Sequence, residues 1–262
     1  MNNYNNIIFE IRDDYYFVKI NRPKNLNALN QDTISELKHC FDFIKKNSKG
    51  FFGVILTGEG EKSFVAGADI KEFTGLDQKE SIKFCMNGHG LFNNIETMPI
   101  PVIALVNGYA LGGGCELALS CHFRFATKNA QFSQPEINLG IIPGYGGTQR
   151  LTQIIGKSKA LEMMLTAQMI TSDQALQFGL VNKVVKDNKN GIHECEELIK
   201  TLKRKAPIAI KNIIKSVNNF YDINSDGFQE EINLFSECTS TSDFDEGVKA
   251  FIEKRCPDFK GE

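Results

Sequence analysis

The sequence has no excess of either charge. Its 262 residues carry 30 Lys and Arg against 32 Asp and Glu, a formal net charge of −2. The basic surface that a general nucleic-acid binder needs is therefore missing. Paired cysteines are missing too: the seven, at 40, 85, 115, 121, 195, 238 and 256, are odd in number and form no CxxC. They read as free thiols of a reducing, cytoplasmic compartment, in a chain long enough to fold without covalent staples. The four histidines, His39, His89, His122 and His193, are scattered, with no two at metal-ligand spacing on one helix. No metal is expected, and His193-Glu194-Cys195 reads as a solvated helix start. The amino terminus shows early acidic residues and no apolar core of a secretion signal. Thr97 to Cys115, the longest uncharged run, holds Pro99, Pro101, Asn107 and four glycines. Such a run belongs in the protein interior rather than a bilayer.

What remains is the composition of a soluble globular protein, 42% hydrophobic and 24% charged, which can bury a core and excludes disorder. Ile7–Ile11 and Tyr15–Ile20 predict a hairpin around Arg12-Asp13-Asp14. Gln31 to Lys46 predicts an amphipathic helix, with Ile34, Leu37, Phe41 and Ile44 on one face. A strand is expected over Phe51–Leu56, closed by a turn over Thr57–Gly60, then a helix over Lys79–Met98 and a strand over Val102–Val106. Strand and helix alternate to a final strand at Leu180–Val185, the pattern of an α/β core. Asp187 to Gly191 reads as a polar breaker, after which three or four helices are expected, one opened by Pro207. The expected division is an α/β core over 1–190 and a helical segment over 191–262 that packs on the core or on another subunit.

Three motifs fail on spacing. Gly156-Lys157-Ser158 resembles a phosphate loop, but Leu151 stands where its first glycine belongs. Gly144-Tyr145-Gly146-Gly147 lacks the third glycine spacing and the leading strand of a dinucleotide loop. Asp222, Asn224, Asp226 and Gly227 imitate half a calcium loop, but Asn233 replaces its bidentate glutamate, so Asp226 reads as a helix cap.

The chemistry concentrates between Ser63 and Arg150. Phe64 to Ile70 is a small-residue loop that turns acidic, and Asn107 to Leu119 runs from a buried strand through Gly112-Gly113-Gly114 into a helix. Two loops of this kind can present two backbone N–H groups to one developing oxyanion, with helix-terminal charge in support. Packing alone also makes such glycine turns. Glu116, on an apolar helix start, is either solvated or held for use, and its spacing does not decide between them. Glu136, after Pro135, reads by itself as an ordinary solvated turn residue.

Taken together, these segments resemble the enoyl-CoA hydratase (crotonase) family, and closely its short-chain hydratases, including 3-hydroxybutyryl-CoA dehydratases. The matching stretches are Asn21-Arg22-Pro23 with Asn27-Ala28-Leu29, Ala66 to Ile70, Asn107 to Glu116, Gln134-Pro135-Glu136, Pro143 to Arg150, and Phe251 to Arg255. The resemblance covers nearly the whole chain. It implies a spiral of ββα turns with C-terminal helices that build a homotrimer or a dimer of trimers. It implies an acyl-CoA substrate, no separate cofactor, and the reversible hydration of a short-chain trans-2-enoyl-CoA in fatty acid oxidation or butyrate-type metabolism. The N–H groups of Ala68 and Gly113 would form the oxyanion hole. Glu116 would activate water and Glu136 would protonate the α carbon. Ala66, Asp69, Ile70 and Lys71 would line the coenzyme A path, with Gly144 also at the substrate. One departure stands out: His122 replaces an aspartate common in relatives, and is expected to be structural.

Competing functions follow from the same resemblance. A second enzyme reading is an isomerase, a hydrolase or another acyl-CoA-processing enzyme on the same fold. Isomerases of the family commonly keep only the second glutamate and others replace both, so the presence of both favours hydration. Some relatives bind RNA through a lysine-lined helix. Here Lys38, Lys45, Lys46 and Lys49 are offset by Glu36 and Asp42, which makes a solvated face. Neither nucleic acid nor membrane is an expected partner.

Overall fold

The computed structural model describes residues 4–222 and 224–262. The first three residues of the stretch read for a secretion signal, and Ile223 inside the calcium-like loop, lie outside the described residues. The predicted hairpin forms from β1 (Ile7–Ile11) and β2 (Tyr16–Ile20), paired antiparallel. Helix α1 (Gln31–Lys46) has the predicted bounds, starts where the Asn30 side chain accepts from Thr33 N–H, and buries Ile34, Leu37, Phe41 and Ile44.

Three turns of chain then repeat one plan. β3 (Val54–Gly58) and β4 (Ser63–Ala66) lead to α2 (Gln78–Glu96). β5 (Val102–Val106) and β6 (Tyr109–Leu111) lead to α3 (Gly113–Leu119). β7 (Phe123–Thr127) and β8 (Gln131–Ser133) lead through a 3-10 turn, Glu136–Leu139, to α4 (Gly147–Ile155). The chain continues through α5 (Lys157–Thr166), β9 (Ile170–Thr171), α6 (Ser172–Gln177) and β10 (Lys183–Val185).

The first strand of each turn joins a six-stranded sheet in the order β1-β2-β3-β5-β7-β10. The second joins a four-stranded sheet in the order β4-β6-β8-β9. Neighbours that come from successive turns are parallel. The result is the ββα spiral, whereas periodicity alone predicts strict strand–helix alternation. The larger sheet is apolar on both faces, as a covered parallel sheet must be. Val54, Leu56, Val102 and Ala104 pack toward α1 and α2, whereas Ile55, Ile103, Leu105 and Phe125 pack on the other side.

That other side is covered by α7 (Asn188–Leu202), whose Cys195 and Ile199 are buried in the second cluster. The stretch expected to break the chain after Lys186 instead starts this helix, with the Asp187 side chain accepting from Asn190 N–H. The expected division at 190/191 thus falls within α7. α8 (Pro207–Asn219), α9 (Gly227–Thr239) and α10 (Ser242–Glu253) follow, Pro207 opening α8 and Asp226 capping α9. No helix among the described residues is long and apolar enough to cross a membrane.

Candidate active site

The ends of β4 and β6 bring two backbone segments together. Beyond β4, Ala68 forms an isolated parallel bridge with Leu29. Leu29 N–H donates to the Gly67 carbonyl at 2.9 Å, and Asp69 N–H to the Leu29 carbonyl at 2.7 Å. These two bonds flank Ala68, so parallel alternation turns its own N–H away from Leu29. On that other side lies Gly113, where a Cβ would sit 3.5 Å from Ala68 N. Gly113 is the first residue of α3, a position whose N–H has no acceptor within the helix. The start of α3 and the loop after β4 therefore come into contact at Gly113 and Ala68.

The flanking glycines have separate reasons. Gly112 has φ +49°, and a Cβ there would lie 2.4 Å from Glu136 Oε1. A Cβ on Gly114 would lie 2.0 Å from the Val65 carbonyl oxygen, so α3 can approach β4 only without a side chain there.

One turn along α3, Glu116 is 2% exposed. Its Oε1 accepts from the N–H groups of Tyr145, at 2.8 Å, and Gly147, at 2.7 Å. Burial, and then the Glu136 carboxylate, raise its pKa to about 7, while those two N–H groups and Arg150 oppose the rise. Burial likewise raises Glu136, at the start of its 3-10 turn, to about 7. The Gln134 amide, with its nitrogen facing the carboxyl, donates to both Glu136 oxygens at 3.2 and 3.1 Å. Two carboxyls that titrate near neutrality beside a pair of N–H donors can give and take protons around a polarised carbonyl. Neither is the solvated turn residue that Glu136 suggested by itself.

Of the residues singled out in the sequence, Ala68, Gly113, Glu116 and Glu136 converge. Gly144 stands at the same turn that holds Glu116, its Cβ position 3.2 Å from Cys85 Sγ. Ala66, Asp69, Ile70 and Lys71 run along the chain that passes Ala68, and Ile70 and Lys71 lie on an exposed 3-10 turn, Ile70–Phe73. The Asp69 carboxylate is engaged by Arg22 at 3.0 Å, and Arg22 also donates to the Ala28 carbonyl. Asp69 thus ties its loop to the Asn21-Arg22-Pro23 segment.

Sequence reasoning assigns no role to four contributors: Arg22, Gln134, Tyr145 and Arg150. All lie inside the segments that resemble the family, but their contacts are visible only in three dimensions. The Tyr145 ring stacks on Phe84, with centroids 5.3 Å apart, and meets Phe92 edge-on. No group of three or more His, Cys, Asp or Glu among the described residues could hold a metal ion.

The sequence model of the enoyl-CoA hydratase/isomerase family matches residues 10–262. The chain belongs to this family. It is 46% identical over 252 residues to a short-chain-enoyl-CoA hydratase of Clostridium acetobutylicum, covering 96% of each chain. It is 42% identical over 257 residues to a crotonyl-CoA hydratase of Syntrophomonas wolfei, covering 98% of each. The crystal structure of an enoyl-CoA hydratase from Bacillus anthracis superposes with a TM-score of 0.91 at 35% identity, covering 98% of this chain and 100% of that one. Within this family the histidine at 122 has a structural task. Its Nδ1 accepts from Val102 N–H at 2.8 Å and its Nε2 donates to the Glu96 carbonyl at 3.1 Å. Burial lowers its pKa to about 4, so it stays neutral.

Proposed function

We propose that this protein reversibly hydrates a short-chain trans-2-enoyl-CoA to the 3-hydroxyacyl-CoA, in fatty acid oxidation or butyrate-type metabolism. The observation that carries this reading is Glu116, buried with one oxygen on two N–H groups and facing a second carboxyl across a two-donor corner. The printed names of the relatives support the same substrate class. The thioester oxygen accepts from Ala68 and Gly113 N–H, which lowers the energy of the enolate as charge moves onto it. Water gives a proton to Glu116 while its oxygen bonds to the β carbon. Glu136 gives its proton to the α carbon, and the sum is one added water. Glu136 must begin protonated and Glu116 ionised, and the two N–H donors favour the ionised form of Glu116. Ala66, Ile70 and Lys71 line the coenzyme A path in this reading, and no metal or other cofactor takes part.

The exposed Phe220, Phe228, Phe235, Phe251 and Ile252 around α8, α9 and α10 support assembly into a trimer or a dimer of trimers through the segment beyond the α/β core. Seven free thiols support a reducing, cytoplasmic compartment. The test of function is a spectrophotometric assay with crotonyl-CoA. Its near-ultraviolet enone absorbance should bleach as water adds. Unchanged absorbance at micromolar protein, with coenzyme A still bound, would reject hydration and favour an isomerase or a hydrolase.

A further inference from the structure

The two N–H groups reach Glu116 only while the turn from Gly144 to Gly147 keeps its shape. Arg150, buried on α4, donates from Nη1 to the Tyr145 carbonyl in that turn at 3.0 Å. Its Nε and Nη2 donate to Glu96 Oε2 at 3.1 and 2.8 Å, and Nη2 also to Asn93 Oδ1 at 2.6 Å. His89 lies against the same turn, its Cε1 3.4 Å from where a Cβ on Gly146 would sit. His89, Asn93 and Glu96 stand at i, i+4 and i+7 on α2, so one stripe of that helix grips the turn and the arginine together. The end of α2 is itself fixed, because the Glu96 carbonyl accepts from His122 Nε2 at 3.1 Å and from Asn218 Nδ2 of α8 at 2.8 Å.

We infer that Arg150, clamped by Glu96 and Asn93, is a positioning residue that holds the Tyr145–Gly147 turn so that Glu116 keeps its two N–H donors and remains able to accept a proton. The ionisable groups facing Glu116 are Glu136 from the 3-10 turn, Cys115 on its own helix, Cys85 on α2, Tyr145 and Arg150. Of these, Arg150 is the cation. Its charge and the turn it holds act in the same direction, against the burial and the neighbouring carboxylate that favour a protonated Glu116. A planar guanidinium can bond the turn and Glu96 at once, which a lysine ammonium at the same place does less well.

The kinetic part of this inference rests on the proposed hydration, so its test has a second readout that does not. Arg150→Gln, Arg150→Lys and Glu96→Gln are compared with the wild type in kcat and KM for crotonyl-CoA across pH. The Glu116 carboxyl is titrated by carbon-13 NMR and assigned with Glu116→Gln. Arg150→Gln should lower kcat roughly 10²-fold, the scale of a small misplacement of a catalytic group, with KM much less affected. It should also move the acid limb and the Glu116 titration to higher pH by about 1. Arg150→Lys should return the titration toward the wild-type value while kcat recovers less. Glu96→Gln, at a half-buried position, should shift both readouts in the same direction but less.

If folded Arg150→Gln keeps the wild-type kcat and Glu116 titration and loses only thermal stability, Arg150 is merely structural and the inference fails. Should Arg150→Gln not fold, Glu96→Gln decides, and unchanged kcat and titration there overturn it. If the wild type does not hydrate crotonyl-CoA, the functional reading fails and the carboxyl titration alone decides the role of Arg150.

Discussion

Burial is what makes Glu116 and Glu136 useful. A carboxyl in water is ionised at neutral pH and a poor acid, whereas these two are raised to about 7. The pair should therefore give a bell-shaped dependence of kcat/KM on pH with its maximum near neutrality. On the acid side Glu116 gains a proton and can no longer accept one from water. On the alkaline side Glu136 has lost the proton it must give. Glu116→Gln and Glu136→Gln should each cost about 10²–10⁴-fold in hydration, with KM much less affected. The double variant should lose far less than the product of the single losses, because both groups serve one transition state. Steady-state rates across pH, with folding checked by circular dichroism, read all of this; wild-type hydration by Glu116→Gln would remove it from the mechanism. The two carboxylates were visible in the sequence as residues, but their weight was not. Spacing left Glu116 undecided and Glu136 ordinary, since burial and N–H donors arrive from residues 29 and 31 positions away. Arg150 was less legible still, because its partners Asn93 and Glu96 lie on another helix.

Elements were read well where their periodicity is long. Helix α1 and strand β5 have their predicted bounds, because one buried face repeated over sixteen residues and an unbroken buried run of five leave little freedom of register. Strand β3 begins three residues later than expected. Phe51, which suggested strand, is apolar for a different reason: it stacks on Tyr16 with ring centroids 4.1 Å apart. β4, β6 and β8 escaped the periodic reading because they are only three or four residues long, too short to show alternation. The polar start of α7 was read as a breaker because its helical state comes from a cap and from Cys195 and Ile199 packing on the sheet, which local composition does not carry.

The His122 ring ties β5 to the end of α2, and its titration is coupled to stability. Its pKa falls from 6.5 to about 4 on burial, so between those values the unfolded chain binds the proton more readily. The neutral ring's contribution is complete above about 6.5 and is lost as pH falls toward 4. His122→Gln retains a donor and an acceptor but no titration, so its stability should fall less over this interval. Urea unfolding at a series of pH values measures the difference, and parallel curves for the two proteins would contradict the assignment.

At the scale of the whole molecule, the two sheets and the helices between them serve to bring loop ends together. Ala68, Gly113, Glu116 and Glu136 come from three successive turns of the spiral, and the parallel stacking of those turns makes them neighbours. Alternation of strand and helix is enough to predict an α/β core, the ββα repeat comes only through the family resemblance, and the sharing of its strands between two sheets is visible only in the structure. The exposed aromatic residues of the last three helices lead to an assembly prediction. Light scattering should give three or six times the 29.3 kDa chain, and a clean monomer at micromolar concentration would contradict it. The central claim is that water adds across the conjugated bond, and proton NMR of crotonyl-CoA incubated with the protein in D₂O tests it most directly. The account predicts loss of the alkene signals and appearance of a 3-hydroxybutyryl thioester carrying one deuterium at its α carbon. Persistence of the alkene, or migration of the double bond without a new hydroxyl-bearing carbon, would contradict it.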